Sequence, residues 1–163
     1  MAIVIEGLDN SGKSTLALML ARFTSFQIVE SEGPPKYDGE MFERLERYAQ
    51  MSSRTIFVRH PCVSQVIYGT MRGDPPCIPQ TVIDRFYTRN HLFIYCDPLD
   101  RGLGDHVIKE GVDTEAHLKA IKEQYSMLLF DYRMWAIKHA KIMYRIGDNM
   151  RDIEQLARAV VRL

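Results

Sequence analysis

The sequence has no excess of charge of either sign: lysine plus arginine and aspartate plus glutamate number 21 each. Such a chain projects no global field toward a polyanion, which argues against long nucleic acid and anionic membrane as partners. A single small nucleotide stays open. Cysteine is scarce and odd in number. Cys62, Cys77 and Cys96 form no C-x-x-C pair, so free thiols in a reducing compartment are expected rather than a disulfide framework or a zinc site. The five histidines (His60, His91, His106, His117 and His139) show no metal-ligand spacing. No apolar run reaches membrane-spanning length, and Met-Ala-Ile-Val-Ile-Glu lacks the basic stretch that opens a signal peptide. A cytoplasmic protein is expected. Repeats, low-complexity tracts and linkers are missing too, which leaves one domain, 1–163, long enough for a full core.

What is present is an alternation of strand and helix. Short apolar runs at Ala2–Glu6, Phe26–Glu30, Arg54–Val58, Leu92–Cys96 and Lys141–Ile146 read as five buried strands. Helical spacing follows each of them, at Gly12–Phe23, Glu40–Met51, Val63–Met71 with Pro79–Arg89, Glu115–Lys138 and Asp152–Val161. Strands that alternate with helices predict an α/β fold of three layers, a five-stranded parallel sheet with helices on both faces. The polar stretch Asp97–Thr114 carries no periodicity.

Gly7-Leu8-Asp9-Asn10-Ser11-Gly12-Lys13-Ser14 matches G-x-x-x-x-G-K-[ST] at each fixed position, between an apolar strand and a helix, which is the context the motif requires. Glycines let backbone N–H groups turn inward around phosphate oxygens, and the helix start adds partial positive charge. Asn10, Ser11, Gly12, Lys13, Ser14 and Thr15 are therefore the expected contacts of ATP. Lys13 would reach the β- and γ-phosphates, and the Ser14 hydroxyl would ligate Mg²⁺. No N-K-x-D tetrad is present, which disfavours a GTPase of the Ras type, and the chain is short for a translocating ATPase.

Glu6-Gly7-Leu8-Asp9-Asn10-Ser11-Gly12-Lys13-Ser14-Thr15 resembles the E-G-x-D-x-x-G-K-[ST] loop of the thymidylate-kinase-like nucleoside monophosphate kinases, especially their short phage-encoded type. The resemblance is patchy but spans most of the chain. It implies that Asp9 faces the acceptor sugar. Ser31-Glu32-Gly33-Pro34-Pro35-Lys36 sits where the family has its R-E-P-G turn beside the acceptor; the arginine is absent, and Lys36 stands near its place. Arg59-His60-Pro61, with Ser64, Tyr68 and Gly69, is similar to the D-R-H-P…S-E-x-x-Y-G pattern. Arg59 thereby inherits contact with the acceptor or transferred phosphate, His60 and Tyr68 fall at the acceptor, and Arg72 just beyond is a second candidate for the phosphate. The stretch at about 97–114 occupies the place of the family's lid, with Arg101 as its one arginine, and Asp148 and Asn149 match the loop that approaches adenine.

One departure matters: Val58 stands where the family carries aspartate, an acid that the resemblance implies would assist Mg²⁺ or orient the acceptor oxygen. Glu6, Asp9, Glu32 and Asp97, each predicted near the carboxyl end of a strand, are candidates to compensate. The implied activity is transfer from Mg·ATP to a (deoxy)nucleoside monophosphate, dTMP first, in the cytoplasm (of a host, if phage-encoded), with homodimers frequent in the family and Val63–Met71 a candidate face. A monophosphate is already ionised at neutral pH, whereas the hydroxyl of a nucleoside would want a carboxylate base. Three alternatives stay open: a deoxynucleoside kinase, a nucleotide-binding protein with little turnover, and a polynucleotide kinase, which the neutral charge balance disfavours.

Overall fold

The computed structural model describes residues 1–51, 53–98, 115–145 and 150–161. Five strands, β1 (Ile3–Glu6), β2 (Gln27–Val29), β3 (Thr55–Val58), β4 (Leu92–Asp97) and β5 (Ile142–Arg145), form one parallel sheet in the order β2-β3-β1-β4-β5. The central strands are buried at every position, as parallel strands covered on both faces must be.

Side chains alternate across these strands with period two and divide the core in half. Ile3, Ile5, Ile56, Val58, Leu92, Ile94 and Cys96 join α1 (Lys13–Thr24) and α7 (Met150–Val161) on one face through Leu16, Leu20, Ile153 and Ala157. Val4, Phe57, Phe93 and Tyr95 point to the other face. There they meet α2 (Glu40–Gln50), α3 (Pro61–Arg72), α4 (Gln80–Thr88), α5 (Glu115–Glu123) and α6 (Tyr125–His139). The expected three-layer architecture is the observed one.

Two expectations about helices are corrected. The long helix read from Glu115 to Lys138 is two helices, α5 and α6, parted at Gln124 with φ −110° and ψ 14°. The apolar side of α3, expected to offer a face to a second copy, is spent inside the chain. Cys62, Val63, Ile67, Tyr68 and Met71 are buried, and Val66 is the exposed large hydrophobic on that helix. The exposed apolar stripe lies instead on α6, where Met127, Phe130, Met134 and Ile137 follow helical spacing. Among the described residues no helix is long and apolar enough to cross a membrane.

Candidate active site

The loop after β1 is shaped by residues with left-handed backbone. Gly7, Asn10 and Gly12 have φ of 145°, 59° and 84°. Asn is among the few side chains that accept such a φ, and the two glycines accept it without cost. Gly7 also has no room for a side chain, since a Cβ there would lie 2.4 Å from the Cys96 carbonyl oxygen and 2.8 Å from Ser11 Oγ. The first of those atoms belongs to β4 and cannot swing away. Gly7→Ala is therefore expected to lower folding stability by about 2–3 kcal/mol and to weaken nucleotide binding, as thermal melting and calorimetric titration would show.

Gly12 precedes α1 without a side-chain cap, so the first-turn N–H groups of α1 have no competitor there for an anion. Lys13 opens that helix and is buried, and its ammonium donates to the Leu8 carbonyl and, at 3.4 Å, to Ser11 Oγ. Burial, reinforced by the charge of Arg59, lowers the Lys13 pKa from 10.5 to about 7. An anion placed in the loop would restore the charge. Ser14 Oγ lies 3.4 Å from Glu30 Oε2, just past β2. Thr15 and Asn10 are exposed at the loop's outer side.

A second group forms at the carboxyl end of β3. Arg59 has φ 65°, and its N–H donates to the Ile5 carbonyl at 2.9 Å. From there its Nη2 reaches Asp9 Oδ1 at 2.5 Å, the Tyr68 hydroxyl at 3.0 Å and the Gly7 carbonyl at 3.5 Å. The Arg59 guanidinium lies 5.1 Å from the centre of the Tyr68 ring, within cation–π range. Tyr68 OH also donates to Asp9 Oδ2 at 3.4 Å. The structure thus brings together three residues singled out from separate parts of the sequence: Asp9, Arg59 and Tyr68. Tyr68 is itself buried, packed edge-on against Tyr132.

Glu6 lies behind this group and is fully buried. Its carboxylate accepts from the His60 N–H at 2.6 Å and from the Tyr132 hydroxyl at 3.4 Å. Burial raises its pKa to about 7, against the pull of that N–H and of the Arg59 and Lys13 charges. His60 was expected at the acceptor. Its ring is found stacked on Phe86 at 4.2 Å and edge-on to Phe57 at 5.2 Å, while Nδ1 accepts from the Cys62 N–H to cap α3. Burial, with His91 and Arg89 adding to it, lowers its pKa to about 3, so the ring is neutral and spent on packing.

The remaining acceptor-side residues are tied down among themselves. Glu32 accepts from Arg47 and from Tyr48 OH, and Arg44 approaches it at 3.8 Å. The Gly33 carbonyl accepts from buried Arg44 at 2.6 Å, and Pro34 and Lys36 lie exposed beside it. Arg72 pairs with Asp74 at 2.6 Å and with Gln65. An open cavity of 460 Å³ lies next to this turn, lined by Pro35, Tyr37, Met41, Phe42, Ile78 and Pro79, among others. At the end of β4, Asp97 is buried and faces Arg133 at 3.3 Å. Arg101, Asp148, Asn149 and most of the expected lid lie outside the described residues. Two participants escaped sequence reasoning. Glu30 carried a signal, as the last residue of an expected strand; Tyr132, on a helix 126 residues from Glu6, carried none.

Magnesium is the ion that this kind of loop implies, and the donors present suit it. Among the described residues no group of three or more His, Cys, Asp or Glu could hold a metal ion unaided. Mg²⁺ does not ask for one, because it takes one or two protein oxygens together with substrate phosphates and water. Ser14 Oγ and the Glu30 carboxylate are hard oxygen donors side by side.

No family model matches the chain, and no curated protein matches it. Solved structures do. The YorR protein of Bacillus subtilis, in complex with phosphorylated GDP, superposes with a TM-score of 0.63 at 16% identity, over 99% of this chain and 94% of that one. The deoxyadenosine kinase of M. mycoides with dCMP and dCDP gives 0.55 at 16% identity, over 99% and 98%. The shikimate kinase of Acinetobacter baumannii with shikimate gives 0.51 at 12%, over 99% and 90%. With its parallel sheet, its strand order and its loop before α1, the chain has the fold of the P-loop kinases.

Proposed function

We propose that this chain transfers the γ-phosphoryl group of ATP to the phosphate of a (deoxy)nucleoside monophosphate, giving the diphosphate, with dTMP as the first candidate. The observation that carries this reading is the bond between Asp9 and Arg59, which sets a guanidinium from β3 directly against the phosphate loop. A planar, permanently charged fork is suited to an acceptor that is itself a phosphate. The solved structures that share the fold support a nucleotide substrate, since YorR was found with phosphorylated GDP and the M. mycoides kinase with dCMP and dCDP. The preference for dTMP rests on the loop Glu6–Thr15 and the Arg59–Gly69 pattern.

In this scheme the loop N–H groups and Lys13 take the β- and γ-phosphates, and Ser14 would hold Mg²⁺. The ion, when bound, neutralises charge on those phosphates. Arg59 would orient the acceptor phosphate in line, so that transfer proceeds by alignment and charge compensation rather than by a strong base. Arg101 in a lid at about 97–114 and Asp148 with Asn149 beside adenine complete the proposal from the sequence, within a single cytoplasmic domain.

A second reading starts from the carboxylate of the same bond. Arg59 is already matched by the Asp9 carboxylate at 2.5 Å, and a carboxylate at the acceptor is what a hydroxyl substrate would use as base. A coupled ADP-release assay with Mg·ATP against the monophosphates and their nucleosides separates the two. Turnover with a monophosphate, lost in Lys13→Met, is expected. Turnover with nucleosides alone would select the deoxynucleoside kinase, and bound ATP without turnover on any acceptor would overturn both readings in favour of a binding protein.

A further inference from the structure

The acid missing at position 58 has a counterpart one strand away. β2 and β3 run in parallel with Ile28 beside Ile56 and Val29 beside Phe57. One residue past that last pair, Glu30 is level with Val58. It also shares a face with it, because alternation puts Ile28 and Val58 against the same core half that holds α1. That is the face from which the first turn of α1 presents Ser14, and Glu30 Oε2 stands 3.4 Å from Ser14 Oγ. A carboxylate at position 58 itself would be enclosed, since Val58 is 2% exposed in the core half that holds Ile5, Leu16 and Ile56, whereas Glu30 is exposed to water.

The other acids near the loop are engaged elsewhere. Asp9 is bonded to Arg59, Glu32 to Arg47 and Tyr48, and Asp97 to Arg133. Glu6 is buried on the opposite face beneath His60 and Tyr132. Glu30 is paired with no cation among the described residues, and its described partner is the hydroxyl that would ligate the ion. We infer that Glu30 is the carboxylate that serves the magnesium ion at Ser14, supplying from β2 what the sequence lacks at Val58. The inference rests on the proposed use of the loop for Mg·ATP.

The test is the affinity of Mn²⁺ for the complex of the protein with a non-hydrolysable ATP analogue, read by electron paramagnetic resonance, beside calorimetric binding of the same analogue in EDTA. Glu30→Gln keeps the size and the exposed setting of the side chain. It is expected to weaken Mn²⁺ by about 10- to 100-fold while leaving metal-free binding of the analogue unchanged. Asp97→Asn should leave the Mn²⁺ affinity as it is. An unchanged Mn²⁺ affinity in Glu30→Gln, or a loss confined to Asp97→Asn, would overturn the assignment and leave the proposed function standing. Loss of metal-free binding in Glu30→Gln would overturn it as well, by showing that Glu30 shapes the loop. Failure of the unaltered protein to bind the analogue would instead remove the reading beneath it.

Discussion

Replacing Lys13 by methionine is expected to lower phosphoryl transfer by about 10²–10³-fold while making the protein more stable. The two effects have one origin. The ammonium is held inside the loop on the Leu8 carbonyl and Ser11, with its pKa down from 10.5 to about 7 because burial and the Arg59 charge both penalise the cation. Below pH 7 the lysine is charged in the folded and the unfolded chain alike, and the fold bears the whole cost. Between about pH 7 and 10.5 the folded chain has released a proton that the unfolded chain keeps, so stability rises with pH; above 10.5 the cost is gone. The advantage of Lys13→Met should thus be a few kcal/mol below pH 7 and fade toward pH 10. Urea unfolding at pH 6 and pH 9 measures it, and an equal advantage at both would refute the assignment of the depressed group. Under the proposed function the phosphates of ATP would reverse the penalty by facing the ammonium with negative charge. Nucleotide binding near pH 8 should accordingly take up a proton, seen as a binding heat that depends on the buffer, and Lys13→Met should abolish that uptake.

The loop that holds this lysine could be anticipated from the sequence, because it is local. Eight consecutive residues, Gly7–Ser14, carry both its conformation and its chemistry. The same holds for the strands. Ile3, Val4 and Ile5 are apolar on both sides because both sides are covered, and that continuous run was sufficient to read a buried parallel strand.

Where partners lie far apart in the chain, legibility stops. Glu6 looks like the polar end of a strand, yet it is fully buried because α3 and α6 close over that end and supply the His60 N–H and the Tyr132 hydroxyl. Glu30 looks like a solvated acid before a turn; its meaning depends on the register of β2 against β3, which no local pattern encodes. His60 sits within the very motif that suggested a ligand contact, and only the packing of Phe86 and Phe57 reveals that its ring is structural. At Gln124 the helix breaks with neither Pro nor Gly to mark it, while the apolar spacing from Ile121 to Leu128 runs straight through. The hydrogen bonds of Gln124 N–H to Ala120 and of Leu128 N–H to Gln124, both at 3.0 Å, persist across the break, so the signal in the sequence stays helical.

Arg59→Met is expected to remove about 2–3 kcal/mol of folding stability and about 10²–10³-fold of transfer to the acceptor, without weakening the binding of ATP. The stability figure follows from burial. Arg59 and Asp9 keep 17% and 19% of their side-chain surface, which puts the pair between exposed ion pairs, worth under about 1 kcal/mol, and sealed ones, whose disruption costs about 3–5 kcal/mol. Burial, the largest single influence, would pull the Arg59 pKa down, but Asp9, Tyr68, Tyr132 and Glu6 together outweigh it and hold the guanidinium charged. Losing it takes from Asp9 the cation bonded to its Oδ1 at 2.5 Å. Backbone and charge can be separated at this position, because Arg59 holds a φ of 65° that any side chain but glycine adopts at a cost. Arg59→Gly should therefore be more stable than Arg59→Met by about 1 kcal/mol and no better at transfer. Arg59→Lys keeps the charge but replaces the planar fork proposed for the acceptor phosphate by a compact ammonium on a shorter side chain, and it should recover stability more fully than turnover. Chemical denaturation of the three variants, set beside kcat/KM for the acceptor, checks the ordering. Full transfer by Arg59→Met, whatever its stability, would mean that the guanidinium belongs to the fold and that the acceptor phosphate is held by another group.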